Sequence, residues 1–383
     1  MLCYHQVPAA SSIPDSLVRK ITVELHSPYT VLLERGALSH VGTLAKKYVD
    51  EAGSVIVLTT KPIRQHWGGA LEASLQQAGL KVTVLEMKDG ERHKTCATVE
   101  DLAEKMAAAG ADRGTLVVAL GGGVVGDVGA FLASIYMRGV DVLQIPTTLV
   151  AMIDSAIGGK TGVNLSRGKN LVGTYHHPRA VLVDPLVLAT LPDREYRSGL
   201  CEAIKYGIIR HRELFEFMEK YRHELHRRHP EKLEWLIAEC VRLKAEIVVA
   251  DERESDLRRI LNFGHTLGHA LEAATEYRQF LHGEAVGWGM VAACQIAALL
   301  RRVDADVSQR MVDAIIGIGS PLPPIETRAE LILPHTAHDK KSRAGVLHFV
   351  LPREIGRVEI TKQVPEAVVL QALQQTIQLS KKK

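Results

Sequence analysis

The chain has 383 residues, of which 46% are hydrophobic, 24% charged and only 5% aromatic; at roughly 150 residues per domain this predicts two or three domains and excludes one small module or a disordered tail. Lys and Arg number 47 against 44 Asp and Glu, a formal net charge of +3, which removes any composition-level case for nucleic acid and leaves room only for a local basic site. Cys3, Cys96, Cys201, Cys240 and Cys294 form no CxxC pair and lie far apart, the usage of a reducing compartment rather than a disulfide framework.

The opening MLCYHQVPAASS lacks the basic start and apolar run of a signal peptide. Short β-rich runs then alternate with helical patterns. Ile21–Leu25 and Thr30–Glu34 read as a hairpin, followed by strands at Ser54–Thr59, Val82–Leu85, Thr115–Leu120, Val140–Ile145 and Ala180–Val183. That alternation predicts an α/β layer with a mostly parallel sheet. After Pro192 the texture changes to 3.6-residue periodicity through Glu195–Ile209, Glu231–Val249, His265–Tyr277 and Glu284–Leu300, so a domain boundary is expected near 185–195. The most apolar stretch, Ala285–Leu300, contains Gln295 and falls short of the roughly 20 residues of a membrane span; it reads as a buried helix of a cytoplasmic protein. Val346–Leu351 and Arg357–Ile360 flank a turn-like Pro352–Gly356 and predict a late hairpin. No internal repeat is visible, and the lysines after Ser380 read as a frayed, solvated tail.

Three groups of residues carry candidate chemistry. Gly121–Asp127 follows the strand Thr115–Leu120 and opens a helix, a setting in which backbone N–H groups approach a pyrophosphate. It satisfies G-x-G-x-x-G on a late strand, and Asp141 precedes its strand instead of ending it, so a standard Rossmann domain fits poorly; a tight packing turn is the alternative. The second Gly-rich run, Ile157–Gly162, lacks P-loop spacing, but Lys160, Lys169 and Asn170 suit either an anion or a solvated loop. His265 and His269 stand at i, i+4, so a helix aims both imidazoles to one side. With His282 and with Glu202, one turn before Lys205, they compose a catalytic zinc site with an open position, although 17 histidines make chance pairs at this spacing expected.

Taken together, Asp89–Lys94, Gly121–Asp127, Tyr136–Gly139, Ile145–Thr148, Asp154–Gly162 with Gly168–Asn170, Glu202–Gly207, Asn262–His269 and His282–Glu284 resemble the 3-dehydroquinate synthases of the sugar phosphate cyclase family, from about Val23 onward. The resemblance implies a variable extension over 1–20, an α/β NAD-binding domain over 21–190 and a mainly helical metal and substrate domain over 191–383, with the active site between them. It makes Glu202, His265 and His282 the ligands of zinc or cobalt, and turns His269 from a ligand into a catalytic or substrate-contacting group. NAD would be held by Asp89, Gly90, Glu91, Arg92, His93 and Lys94, by Gly123, Val124, Val125, Gly126 and Asp127, by Thr147, Thr148, Lys160 and Lys169, and by Val187, Leu188, Ala189 and Thr190. Substrate would meet Arg138, Asp154, Lys160, Asn170, Lys205, Lys244, Arg258, Asn262, His269 and one of Lys340 or Lys341.

The implied reaction converts 3-deoxy-D-arabino-heptulosonate 7-phosphate to 3-dehydroquinate and phosphate, in a homodimer with no nucleic-acid or membrane partner. Another cyclase, using sedoheptulose 7-phosphate, and a metal-dependent polyol dehydrogenase are the competing readings; the cluster Lys160, Lys205, Lys244 and Arg258 disfavours the dehydrogenase. Two positions depart from the family. Leu58–Pro62 lacks the acidic or amide residue that often meets the adenine ribose, and Cys201 stands beside a ligand where alanine is usual, expected as a packing variant with an oxidisable thiol.

Overall fold

The structure, a computed structural model, describes residues 19–50, 53–254, 257–336 and 348–382. The extension up to residue 18 and Lys340 and Lys341 therefore lie outside the described residues.

Seven strands form one sheet in the order β1-β2-β9-β6-β5-β3-β4. They are β1 Arg19–Val23, β2 Tyr29–Leu33, β3 Ser54–Thr60, β4 Lys81–Met87, β5 Leu116–Gly121, β6 Val142–Pro146 and β9 Ala180–Val183. β1 is antiparallel to β2, as the hairpin expectation required, and the other pairings are parallel. Arg19 and Lys20 are the first residues of β1, so the strand begins two residues before the expected hairpin. Central strands such as β5 are buried along their whole length, which is why they read as continuous aliphatic runs instead of alternating ones.

Helices α1 Gly69–Gln77, α2 Cys96–Ala108 and α3 Gly123–Ile135 connect the strands. One face of the sheet, through Ile56, Leu58, Val117 and Ala119, packs on Val99, Leu102 and Met106 of α2 and Val125, Val128 and Leu132 of α3. The other face, through Val55, Val57, Leu116 and Val118, shares one continuous core with the C-terminal half, down to Phe263 and Trp288. A small hairpin, β7 Val163–Leu165 with β8 Gly168–Val172, carries Lys169 and Asn170, for which no strand was expected.

The C-terminal half contains α4 Asp193–Ile209, α5 Arg212–Lys220, α6 Pro230–Ala250, α7 His265–Ala274, α8 His282–Leu299, α9 Ala305–Gly319, α10 Ala329–Thr336 and α11 Glu366–Ser380. It is mainly helical, with the expected late hairpin as β10 Phe349–Glu354 and β11 Arg357–Thr361. The strand runs through Pro352 with a bulge, so the turn is tighter than Pro352–Gly356. Among the described residues no helix is long and apolar enough to cross a membrane, and Cys96, Cys201, Cys240 and Cys294 are free thiols. Cys201 is fully buried, and burial pushes its thiol well up, the environment of an inert packing residue.

Candidate active site

α3 starts where β5 ends, so the glycine run meets the C-terminal edge of the parallel sheet, the edge where open α/β sheets bind ligands. Thr147 and Thr148 follow β6 at the same edge, and Thr148 Oγ1 accepts a hydrogen bond from Ala151 N–H at 3.2 Å. The following turn, Ala151–Ser155, carries Asp154 and packs against α6. α6 and α4 present lysines to that carboxylate.

Asp154 ion-pairs Lys244 and stands 3.5 Å from the Lys205 ammonium. Lys205 Nζ also donates to Glu202 Oε2 at 2.6 Å. Lys205 and Glu202 are buried to 0% and 1% exposure, so each charge depends on its partner. Burial pushes the Asp154 carboxyl up, but Lys244 and Lys205 outweigh it and hold it well below the usual carboxylate range. Burial works against the Lys205 charge, and Glu202 and Asp154 overcome it. Lys244 goes the other way: burial, with the positive Arg258 adding to it and Asp154 opposing, brings it down to about 8.

Glu202 Oε1, on the opposite side of the carboxylate, is buried with no hydrogen-bond partner. It faces His265 Nε2 at 3.7 Å and His282 Nε2 at 3.6 Å. Ligand atoms about 2.1 Å from a tetrahedral zinc lie about 3.4 Å apart, so these three atoms have the spacing of a shared cation. The other ring nitrogens are engaged: His265 Nδ1 lies 3.1 Å from Phe263 O, and His282 Nδ1 3.5 Å from Glu272. That leaves each Nε2 toward the carboxylate, the orientation outer partners impose on metal-binding imidazoles. The residues fit a divalent cation. Gly264, at φ 79°, caps α7 and turns His265 into the cluster; only glycine adopts that backbone cheaply.

His269 stacks on His282 with centroids 5.6 Å apart, beside the trio. His269, Glu272 and His282 form a second compact donor group. Glu272, which sequence reasoning missed, also pairs Lys169 at 3.1 Å; burial raises its carboxyl, but His282 and Lys169 prevail and bring it down to about 2. Its signal was present, because His265, His269 and Glu272 stand at i, i+4, i+7 on one face of α7. Glu254 is a second missed residue: it ion-pairs Lys160 and accepts from Asn262 Nδ2 at 3.1 Å. Arg258 is buried, donates from Nη1 to Glu252 O at 2.7 Å, and reaches Gly158 O.

On the nucleotide side Lys94, 3% exposed, donates to Asp127 Oδ2 and Asn170 Oδ1, each at 2.5 Å. Burial keeps the Asp127 carboxyl raised despite Lys94. Asn170, expected on the substrate side, thus joins the nucleotide-side network, its backbone N–H donating to Asn164 Oδ1 at 2.8 Å. Asp89, Arg92 and His93 line a cavity of about 350 Å³ with Lys61, Pro62, Glu86, Met87 and Lys88, at the ends of β3 and β4 where ribose recognition was unassigned. Glu91 accepts from Asn164 Nδ2 at 2.7 Å, joining that loop to β7. Val187–Thr190 lies in the turn Pro185–Thr190, with Thr190 Oγ1 accepting from Trp67 Nε1 at 2.8 Å. The glycine-led start of α3, with Thr147 and Thr148 alongside, fits the pyrophosphate of a dinucleotide. Arg138 does not join the group: it is exposed after the C-terminus of α3, about 20 Å of helix away from Gly123.

The chain matches the 3-dehydroquinate synthase N-terminal family over residues 84–198 and the 3-dehydroquinate synthase C-terminal family over residues 199–342. It is 52% identical over 352 residues to the 3-dehydroquinate synthase of Koribacter versatilis (strain Ellin345), covering 92% of this chain and 96% of that one. A solved 2-deoxy-scyllo-inosose synthase complexed with carbaglucose-6-phosphate, NAD+ and Co2+ superimposes with TM-score 0.85 at 27% identity, over 94% of this chain and 99% of the other. The 2-epi-5-epi-valiolone synthase ValA of Streptomyces hygroscopicus subsp. jinggangensis 5008, with NAD+ and Zn2+ bound, gives 0.84 at 28% identity, over 98% and 99%.

Proposed function

The chain belongs to the 3-dehydroquinate synthase family, and we propose that the residues gathered above carry the family's conversion of 3-deoxy-D-arabino-heptulosonate 7-phosphate to 3-dehydroquinate and phosphate. The enzyme is a phosphate-eliminating lyase of the shikimate route to aromatic amino acids. When bound, NAD supplies a reversible hydride acceptor and the divalent cation a Lewis acid for the substrate hydroxyls.

Glu202, His265 and His282 hold the cation, and the start of α3 with Thr147, Thr148 and the Asp89–Lys94 loop holds NAD. Lys205, Lys244 and Arg258 bind the substrate's carboxylate and phosphate by charge-assisted hydrogen bonds. Asp154, placed between the two lysines, offsets the repulsion of their like charges and lets both sit in one site. Asn262 orients a substrate oxygen. His269, close to His282 but outside the Glu202 trio, moves the proton on the carbon next to the departing phosphate. Fixed ammonium and guanidinium groups then stabilise the charge that accumulates on phosphate as it leaves.

The observation that carries this assignment is the unpartnered Glu202 Oε1 facing two imidazole nitrogens, one lysine away from the Asp154 carboxylate. A polyol dehydrogenase needs the first arrangement but not the second. The test supplies the heptulosonate phosphate with catalytic NAD and a divalent metal and follows phosphate and dehydroquinate together, expected in equal amounts without net NADH. Net NADH from glycerol without phosphate release would overturn the reading. We further propose a cytoplasmic homodimer organised as an α/β half over 21–190 and a helical half over 191–383; sedimentation of the purified chain tests the dimer.

A further inference from the structure

The ligand trio does not hold itself in place. Arg194, Ser198 and Glu202 stand at i, i+4 and i+8 on α4 and so share one helix face, and each meets a different residue of the first turn of α8. Glu202 faces His282 at 3.6 Å. Ser198 Oγ accepts the backbone N–H of Gly283 at 3.0 Å. Arg194 grips Glu284 with two nearly parallel bonds, Nε to Oε1 at 2.7 Å and Nη2 to Oε2 at 2.8 Å, and Nη2 also donates to Gln279 O at 2.8 Å. Glu284, only 3% exposed, in turn accepts the backbone N–H of Leu281 at 2.8 Å, the residue just before His282.

The contact is as close as backbone allows. A Cβ on Gly283 would lie 2.0 Å from Ser198 O, so a side chain there forces the two helices apart. We propose that Arg194 and Glu284 are positioning residues for the metal: they clamp the turn that carries His282 and thereby set the His282 Nε2 position relative to Glu202. The inference rests on the assignment of Glu202, His265 and His282 as ligands. Arg suits the task because its planar fork engages both carboxylate oxygens and a carbonyl at once, which a lysine cannot do. Outer partners of this kind are worth roughly 10- to 100-fold in metal affinity.

The experiment titrates Co2+ into the metal-stripped full-length chain and follows the visible d–d absorption, which reports ligand geometry, with circular dichroism and melting of the metal-free protein as the fold control. Arg194→Ala is expected to weaken Co2+ about 10- to 100-fold and alter the band shape, with Arg194→Lys recovering part of both. Arg310→Ala, which breaks a comparable two-bond pair with Glu219 that touches none of the proposed ligands, is expected to leave both at parental values. If Arg194→Ala does not fold, Glu284→Gln, which keeps size and removes the charge, is expected to show the same weakening. Parental affinity and spectrum in a folded Arg194→Ala or Glu284→Gln, while His282→Ala loses the metal, would overturn the clamp and leave the ligands standing. Parental affinity in His282→Ala would overturn the ligand assignment itself.

Discussion

The ammonium of Lys244 on α6 is ion-paired to the carboxylate of Asp154, which belongs to the turn after β6. A residue of the helical half and a residue of the sheet half thus share one part-buried charge pair at the mouth of the nucleotide edge.

Lys244 provides a pH signature. Its pKa in the folded chain is about 8 against an ordinary 10.5, so between those values the unfolded chain binds a proton that the folded chain has released. The penalty is fully present below pH 8 and is relieved as pH rises toward 10.5, so stability should climb with pH across that window. The slope is at most about 1.4 kcal/mol per pH unit for one proton. Urea unfolding of the parent and of Lys244→Met is expected to give a free-energy difference that moves in the parent's favour by about 3 kcal/mol over this range; a flat difference would show that Lys244 titrates as an ordinary lysine.

Removal of Lys205 leaves two carboxylates, Glu202 and Asp154, without their shared cation. Lys205→Met should cost about 3–5 kcal/mol of stability and, under conditions where it remains folded, slow phosphate release by about 100- to 1000-fold. Denaturant titration and a phosphate assay read the two effects separately, and unchanged kinetics would remove Lys205 from the reaction.

Lys94 ties Asp127 to Asn170. In Lys94→Met the Asp127 carboxyl, already raised by burial, loses its counter-charge and moves further up. NAD binding to the full-length chain, measured calorimetrically, should weaken about 10- to 100-fold, the range of one or two lost charge-assisted bonds. Parental affinity would place this network outside the nucleotide site.

Tyr29, at the start of β2, supports the Gly158 loop. Its hydroxyl accepts the Gly158 N–H at 3.0 Å, and burial, partly offset by that bond, pushes the phenol up to about 12. Tyr29→Phe keeps the ring but leaves the buried N–H unpaired, so a loss of about 1–3 kcal/mol is expected. A melting temperature equal to the parent's would show the loop is held without it.

The parallel strands were legible because their residues are hydrophobic on both sides, and Ala180–Val183 was placed to the residue. The β7–β8 hairpin was not, since Ser166, Arg167 and Gly168 read as solvent-exposed loop chemistry and its pairing is short and irregular. Helix α9 was hidden by Gly317 and Gly319, and α11 by its glutamines, which dilute the apolar period. In the site, spacing alone favoured His265 with His269 as ligands, whereas the folded chain sets Glu202, His265 and His282 around one unpartnered oxygen. Spacing within one segment does not contain that trio, because Glu202 and His282 come from helices about 80 residues apart; the family resemblance of the separate motifs is what names all three. The acidic partners Glu254 and Glu272 carry no signal in the basic motifs, because an anionic substrate calls for cations and their counter-charges come from elsewhere in the chain.

The β1–β2 hairpin has a consequence for how the chain is made. β2 pairs with β9, Thr30 opposite Ala180, and β1 packs on α6, which begins at Pro230. Beyond the pairing of its own two strands, this hairpin therefore gains its neighbour in the sheet only once β9 has been translated, and its cover only when the helical half follows. Such distant partners raise contact order and slow the search for the native fold. A nascent chain halted near residue 190 lacks α6 and leaves the apolar face around Val23 without its cover, a sticky surface that invites chaperones or aggregation during synthesis.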